Sequence, residues 1–157
     1  MELTAAVDDR GASLFLAGTL DAEGVDKLSP WIRSKPTTLN LQNVRNITPL
    51  GLRRWIELLS RSSQLTVEAL SYEFTRRARG VADLFGAASV QSFMAPYYCP
   101  TCCMERHARL GTHEIQKDIR PSRTCPCCGD TMEFDELEDF FDFVQPQYGR
   151  PRTDDST

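Results

Sequence analysis

The chain has 157 residues, room for one ordinary domain and a small second one, with 41% hydrophobic and 25% charged residues, as in a globular protein. No stretch approaches the ~20 apolar residues that a helical membrane span needs, so no membrane partner is expected. The net charge of −4 is unevenly divided: residues 1–94 carry 11 Lys and Arg against 10 Asp and Glu, residues 95–157 carry 7 against 12, and neither balance favours a nucleic-acid partner.

Residues 1–8 and 12–18 read as two strands joined at the turn Asp9-Arg10-Gly11. Asp21 can cap a helix carrying Val25, Leu28 and Ile32 at helical spacing, with Pro30 bending or shortening it. Lys35-Pro36 breaks the chain before a third strand, Thr38 to Val44. Thr48 is a fitting N-cap and Pro49 a fitting first residue for a helix that runs to about Ser60. That helix buries Leu52, Trp55, Ile56 and Leu59 as a stripe. Leu65 to Leu70 forms a fourth strand, and Ser71 caps a short helix containing Phe74 and the basic group Arg76, Arg77 and Arg79. The stretch Val81 to Phe85 is expected to continue that helix, closed by Gly86. Val90 to Met94 is a last strand or an exit segment. Strands alternating with helices point to an α/β sheet with crossovers.

Ala95-Pro96 marks a change of organisation. Beyond it lie Cys99-Pro100-Thr101-Cys102 and, after 22 intervening residues, Cys125-Pro126-Cys127-Cys128-Gly129. Two C-x2-C turns deliver four soft ligands to one tetrahedral ion, and the loop between them is elastic in length. Each pair has a Pro after its first Cys to fix the turn, and Gly129 lets the chain reverse away from the metal. The expected ligands of one structural Zn2+ are therefore Cys99, Cys102, Cys125 and Cys128, the set that keeps both spacings at x2. Cys103 and Cys127 adjoin ligand positions, and either could replace its neighbour. His107 and His113 lie in the connector without a paired ligand and read as ordinary surface or strand residues. The rivals are a disulfide framework, a redox dithiol and rubredoxin-like iron. The opening Met1-Glu2-Leu3-Thr4 has no basic or apolar leader features, so a cytoplasmic location with reduced thiols is expected. Redox motifs normally come as a single C-x-x-C in a βαβ context, and here there are two. Four thiolates close the coordination sphere, so the metal is structural rather than catalytic.

After the second pair, Thr131-Met132-Glu133-Phe134 reads as a closing strand. Asp135 then caps an acidic amphipathic helix with Leu137, Phe140, Phe141 and Val144 at one face and Phe143 beside it. The expected organisation is a domain over 1–94, a zinc ribbon with its C-terminal helix over 95–147, and a disordered tail over 148–157.

Three stretches of the first 94 residues together resemble a STAS domain, the family of anti-sigma factor antagonists and of the cytoplasmic tails of sulfate transporters. They are Leu14-Phe15-Leu16-Ala17-Gly18-Thr19-Leu20-Asp21; Thr38 to Val44 with Ile47-Thr48-Pro49-Leu50-Gly51-Leu52; and Leu65 to Leu70 with the closing Leu84-Phe85-Gly86. The resemblance implies a mixed sheet with helices and activity by protein binding. It also implies a departure. Antagonists read Asp-Ser-Ser-Gly at the loop where Thr48-Pro49-Leu50-Gly51 stands here, and Pro49 occupies the phosphoacceptor position without a hydroxyl. Thr48 has a hydroxyl, engaged as the helix cap. Phosphate-driven partner switching in its usual form is not expected, whereas a binding surface around Thr48, Pro49, Arg53 and Arg54 can survive. Arg61, Arg76, Arg77 and Arg79 could extend it into a basic patch for an acidic protein or for the chain's own acidic helix; the alternative is a solvated face.

No arranged catalytic set and no Gly-rich phosphate loop occurs. The sequence points to a non-catalytic, bacterial-type regulatory or scaffolding protein that binds a protein partner. A zinc-ribbon nucleic-acid-binding transcription regulator is the alternative, a thiol redox protein the third class, and self-association is left open.

Overall fold

The side chain of Asp8 fixes the first reversal of the chain, accepting from the Arg10 and Gly11 amides at 2.8 and 2.9 Å. This computed structural model describes residues 1–62, 64–78, 80, 81, 83–117, 121–136 and 140. The hairpin pairs β1 (Glu2–Asp8) with β2 (Gly11–Leu20) antiparallel. Asp21 then caps α1 (Ala22–Asp26), accepting from the Gly24 amide at 2.7 Å. Pro30 opens a separate short helix, α2 (Ser29–Ser34), rather than bending one continuous helix. The third strand, β3 (Thr37–Ile47), is longer than the sequence suggests and lies parallel to β2.

Thr48 caps α3 (Pro49–Ser60) as expected, its Oγ1 accepting from the Gly51 amide at 3.0 Å. Then come β4 (Leu65–Glu68), α4 (Tyr72–Ala78) and the two-residue β5 (Ser89–Val90). Ser71 Oγ caps α4 by accepting from the Phe74 amide at 3.1 Å. The described residues among 80–85 form turns, not the continuing helix, and Gly80 and Asp83 both have positive φ.

The sheet order is β1-β2-β3-β4-β5, antiparallel only at the hairpin. Leu14, Leu39, Val67 and Val90 are register partners across four adjacent strands, and all are fully buried. Trp55, Leu59 and Phe74, from α3 and α4, belong to the same hydrophobic core. Trp55 meets Phe74 edge-on at 5.3 Å and donates its indole N–H to Leu84 O at 3.0 Å, which satisfies a polar group that would otherwise be buried unpaired.

The fold is mixed α/β, as the sequence suggests, with helices on a mixed sheet and a second, smaller sheet. Strand β6 (Ser92–Cys99) leads into the latter. The expected boundary between residues 94 and 95 falls within this strand. At its start, Leu70 donates to Ser92 O and Met94 donates to Leu70 O, linking it to the end of the first sheet. Further along, β6 pairs with β7 (Met104–Gly111) and β9 (Thr131–Phe134), and β9 pairs with β8 (Arg123–Thr124), all antiparallel. The short α5 (Thr112–Lys117) lies between β7 and β8.

Of the apolar stripe expected after Asp135, only Phe140 is a described residue; it is buried against Tyr72, Phe93 and Phe134. Leu137, Phe141, Phe143, Val144, the tail 148–157 and Arg79 lie outside the described residues. Among the described residues, no helix is long and apolar enough to cross a membrane.

Candidate metal centre

Cys99 is the last residue of β6, and its partner in register is Met104, the first residue of β7. The hairpin between them is the first knuckle. One of its amides turns inward, Cys102 N lying 3.4 Å from Cys99 Sγ. The second knuckle joins β8 to β9. There Gly129 donates to Cys125 O at 2.9 Å, and Cys125 donates to Asp130 O at 2.8 Å. Gly129 sits at φ +78°, a conformation open to glycine at little cost, which is the reversal its position suggested.

Strand β6 pairs directly with both β7 and β9, so the two knuckles meet at one end of the second sheet. The sulfurs of Cys99, Cys102, Cys125 and Cys128 all lie within 4.8 Å of one another. Cys99 and Cys128 are 3.5 Å apart, and Cys102 and Cys125 3.9 Å. A tetrahedral ion with metal–sulfur bonds of about 2.3 Å requires sulfur–sulfur edges of about 3.8 Å. A disulfide requires about 2.05 Å, and all six cysteines are free thiols. Cys99 and Cys125 are buried, Cys102 is half-buried and Cys128 is exposed.

The thiols perturb one another. The backbone N–H groups of Cys128 and Cys127 pull Cys125 down to about 6. Cys102 is pushed well above the usual thiol range, first by its hydrogen bond with the Cys128 side chain, then by burial. At Cys128 the Asp130 amide lowers the thiol, but burial and the Cys99 and Cys125 thiols outweigh it, and the net shift is upward. Four sulfurs at this spacing cannot all ionise without a cation between them. The donor set therefore fits one tetrahedral thiophilic ion such as Zn2+.

The neighbours predicted as possible substitutes stand apart. Cys103 is exposed at φ +53°, its Sγ 3.6 Å from Pro100 O, and its thiol raises the pKa of Tyr98. Cys127 is exposed, with Arg106 Nη2 2.7 Å from its sulfur. His107 pairs with Pro96 in β7 and meets the Tyr72 ring edge-on at 5.0 Å, and His113 lies in α5. Neither belongs to the sulfur cluster.

The other expected surface is divided. Pro49 and Leu50 are exposed at the start of α3, as are Arg53 and Arg54. Gly51, where the loop agrees with the STAS pattern, has a steric reason: a Cβ there would lie 2.4 Å from Leu20 O. Arg54 and Arg61 line a groove of about 150 Å³ with Arg33 from α2, while Arg53 does not. Val25 and Leu58 also line it, and the carboxylates Asp26 and Glu57 are present too. Arg76 instead lies 5.7 Å over the Tyr72 ring, and Arg77 is exposed. Sequence spacing gave no signal for Arg33, because it joins the groove from a different helix.

No family model and no curated protein matches the sequence. Among solved structures, the chain is similar to an uncharacterised Shewanella loihica protein of the DUF3478 family, described as having a SpoIIAA-like fold. The two share 12% identity over 59% of this chain and 83% of that one, with a TM-score of 0.38. The likeness concerns the path of the chain and assigns no activity.

Proposed function

We propose that this chain is a non-catalytic regulatory or scaffolding protein. Its STAS-like part binds a protein partner, and one structural Zn2+ held by Cys99, Cys102, Cys125 and Cys128 fixes the shape of the rest. The observation that carries this reading is the four-sulfur cluster. It contains no His or carboxylate among the described residues, so a bound ion would have a closed sphere and no position for a substrate or a reactive water. The STAS-like part supports binding rather than switching, because Pro49 cannot take a phosphate and Thr48 Oγ1 already accepts from Gly51. The exposed Pro49 and Leu50, with Arg53 and Arg54 on the following turn, supply a surface for a partner. Such a protein works where thiols stay reduced, as in a cytoplasm.

The nucleic-acid reading has the charge against it, since residues 95–157 carry 7 basic and 12 acidic residues. Elemental analysis of the purified chain tests the metal, and retention on heparin and affinity capture test the partner class. One zinc per chain, no salt-sensitive heparin retention and a stoichiometric protein partner are the expected results. Absence of metal, or sulfurs joined in disulfides, defeats the zinc reading. Tight, steeply salt-dependent binding to DNA would replace the protein partner with a nucleic acid.

A further inference from the structure

A thiolate ligand is held by what donates to it as well as by the metal. The second knuckle is closed by its own backbone, Gly129 donating to Cys125 O at 2.9 Å and Cys125 to Asp130 O at 2.8 Å. Two of its residues, Cys127 and Asp130, are tied by their side chains to the first knuckle or the strand that leaves it. Thr101 Oγ1 donates to Asp130 Oδ2 at 2.5 Å across 29 residues of sequence. Arg106 Nη2, from β7, lies 2.7 Å from Cys127 Sγ across 21 residues.

Arg106 is placed at some cost. Its Nε is buried without a hydrogen-bond partner, and its Nη2 faces sulfurs, with Met104 Sδ at 3.9 Å as the second. A buried guanidinium edge is stabilised by nearby negative charge, and four thiolates around Zn2+ carry a net charge of −2. Glu105, beside it in sequence, and Glu133, in the register row of Glu105 and Tyr98, are acidic and cannot offset that charge.

We infer that Thr101–Asp130 and Arg106–Cys127 are two outer straps that hold the second knuckle at ligand spacing against the first, and that Arg106 also balances the charge of the metal–thiolate centre. This rests on the zinc reading and deepens it. It makes Thr101, Arg106, Cys127 and Asp130 positioning residues, none of them a ligand. It also gives Cys127 a role other than substitute ligand: its side chain ties the second knuckle to β7.

The test uses the full chain loaded with zinc and measures transfer of the metal to a chromogenic chelator. Arg106→Gln and Thr101→Val are expected to keep one zinc per chain but release it roughly tenfold faster, the lower end of the range for outer-layer partners. Arg106→Lys keeps the charge and Thr101→Ser the hydroxyl, and both should restore most of the slow release. Cys127→Ala should resemble Arg106→Gln. In cadmium-substituted protein, the cadmium-113 resonance should move in the two strap-breaking variants and return in the conservative ones, a response that a general loss of stability would not give. Wild-type release rates in Arg106→Gln and Thr101→Val overturn the inference. Fast release in Arg106→Gln with slow release in Cys127→Ala overturns the Arg106–Cys127 strap. Wild-type protein that binds no zinc is distinguishable by stoichiometry and defeats the zinc reading itself.

Discussion

The sulfurs of Cys99 and Cys128 lie 3.5 Å apart although they are 29 positions apart in sequence. Cys99 ends the strand whose first residues are bonded to Leu70, at the end of the first sheet. The sulfur cluster and the larger sheet are thus connected by one strand, with a common hydrophobic core that includes Phe93, Ala95, Tyr97 and Cys99.

Removing the metal tests how far that connection carries. Zinc binding by small four-ligand sites is worth on the order of 10–16 kcal/mol of folding free energy. Cys99→Ser, or exhaustive chelation, should abolish zinc binding and strip hydrogen-exchange protection from β7, β8 and β9. The amides of Leu14, Leu39 and Val67 should stay protected. Loss of protection in both sheets at once would show a single cooperative unit and no independent domain over 1–94.

Gly51 and Thr48 give a second, separable prediction. A methyl group at position 51 would meet Leu20 O at 2.4 Å and Asp21 Cα at 3.0 Å, both backbone, so relief requires moving α3 or the end of β2. Gly51→Ala should therefore cost about 1–3 kcal/mol, despite the gain of up to ~1 kcal/mol in helix propensity. Thr48→Ala loses only the cap, about 1 kcal/mol. Urea denaturation should rank them in that order. The reverse order would mean that the contact with Leu20 relaxes freely.

The helix that follows shows what was legible. Its cap, its first-position proline and the buried Trp55 and Leu59 all follow from local spacing. So does the sulfur cluster, because x2 spacing makes each knuckle a local structure. The failures are tertiary. Residues 81–85 have an apolar pattern fit for a helix, but Leu84 O bonds the Trp55 indole. Strand β4 stops at Glu68 because Ala69 turns to φ +50°, its amide donating to Ser92 Oγ at 2.8 Å. Neither partner is near in sequence. Arg33 in the groove and Arg106 at the second knuckle are invisible to spacing for the same reason.

The groove lined by Arg33, Arg54 and Arg61 sharpens the expected partner surface. Arg54 is only loosely paired with Glu57, at 3.9 Å with both side chains about half exposed, and such a pair holds little energy. An acidic partner could displace it. If this face binds the partner, Arg54→Glu with Arg61→Glu should reduce recovery in affinity capture several-fold, and added salt should do the same to wild type. Arg53→Glu, outside the groove, should change recovery by less than about twofold. Equal losses from both variants would show that net charge alone matters, and no loss from either would return the arginines to a solvated face.

Glu114 predicts an acid-sensitive corner of the second sheet. Its carboxylate accepts from the Gly111 amide at 2.7 Å and from Arg123 Nη2 at 2.8 Å, tying the end of β7 to β8 across α5. The Gly111 bond, then the Arg123 guanidinium, holds its pKa below the usual carboxylate value, against the opposing effect of burial. A carboxyl depressed in the folded state stabilises that state above its unfolded pKa, about 4.3 for Glu. The contribution fades as pH falls through the lower folded value. Urea midpoints for wild type and Glu114→Gln should therefore differ most at neutral pH, with wild type the more stable, and converge as pH drops below about 4. A constant difference across that range would mean that Gln replaces only shape and that the charge of Glu114 contributes nothing to the fold.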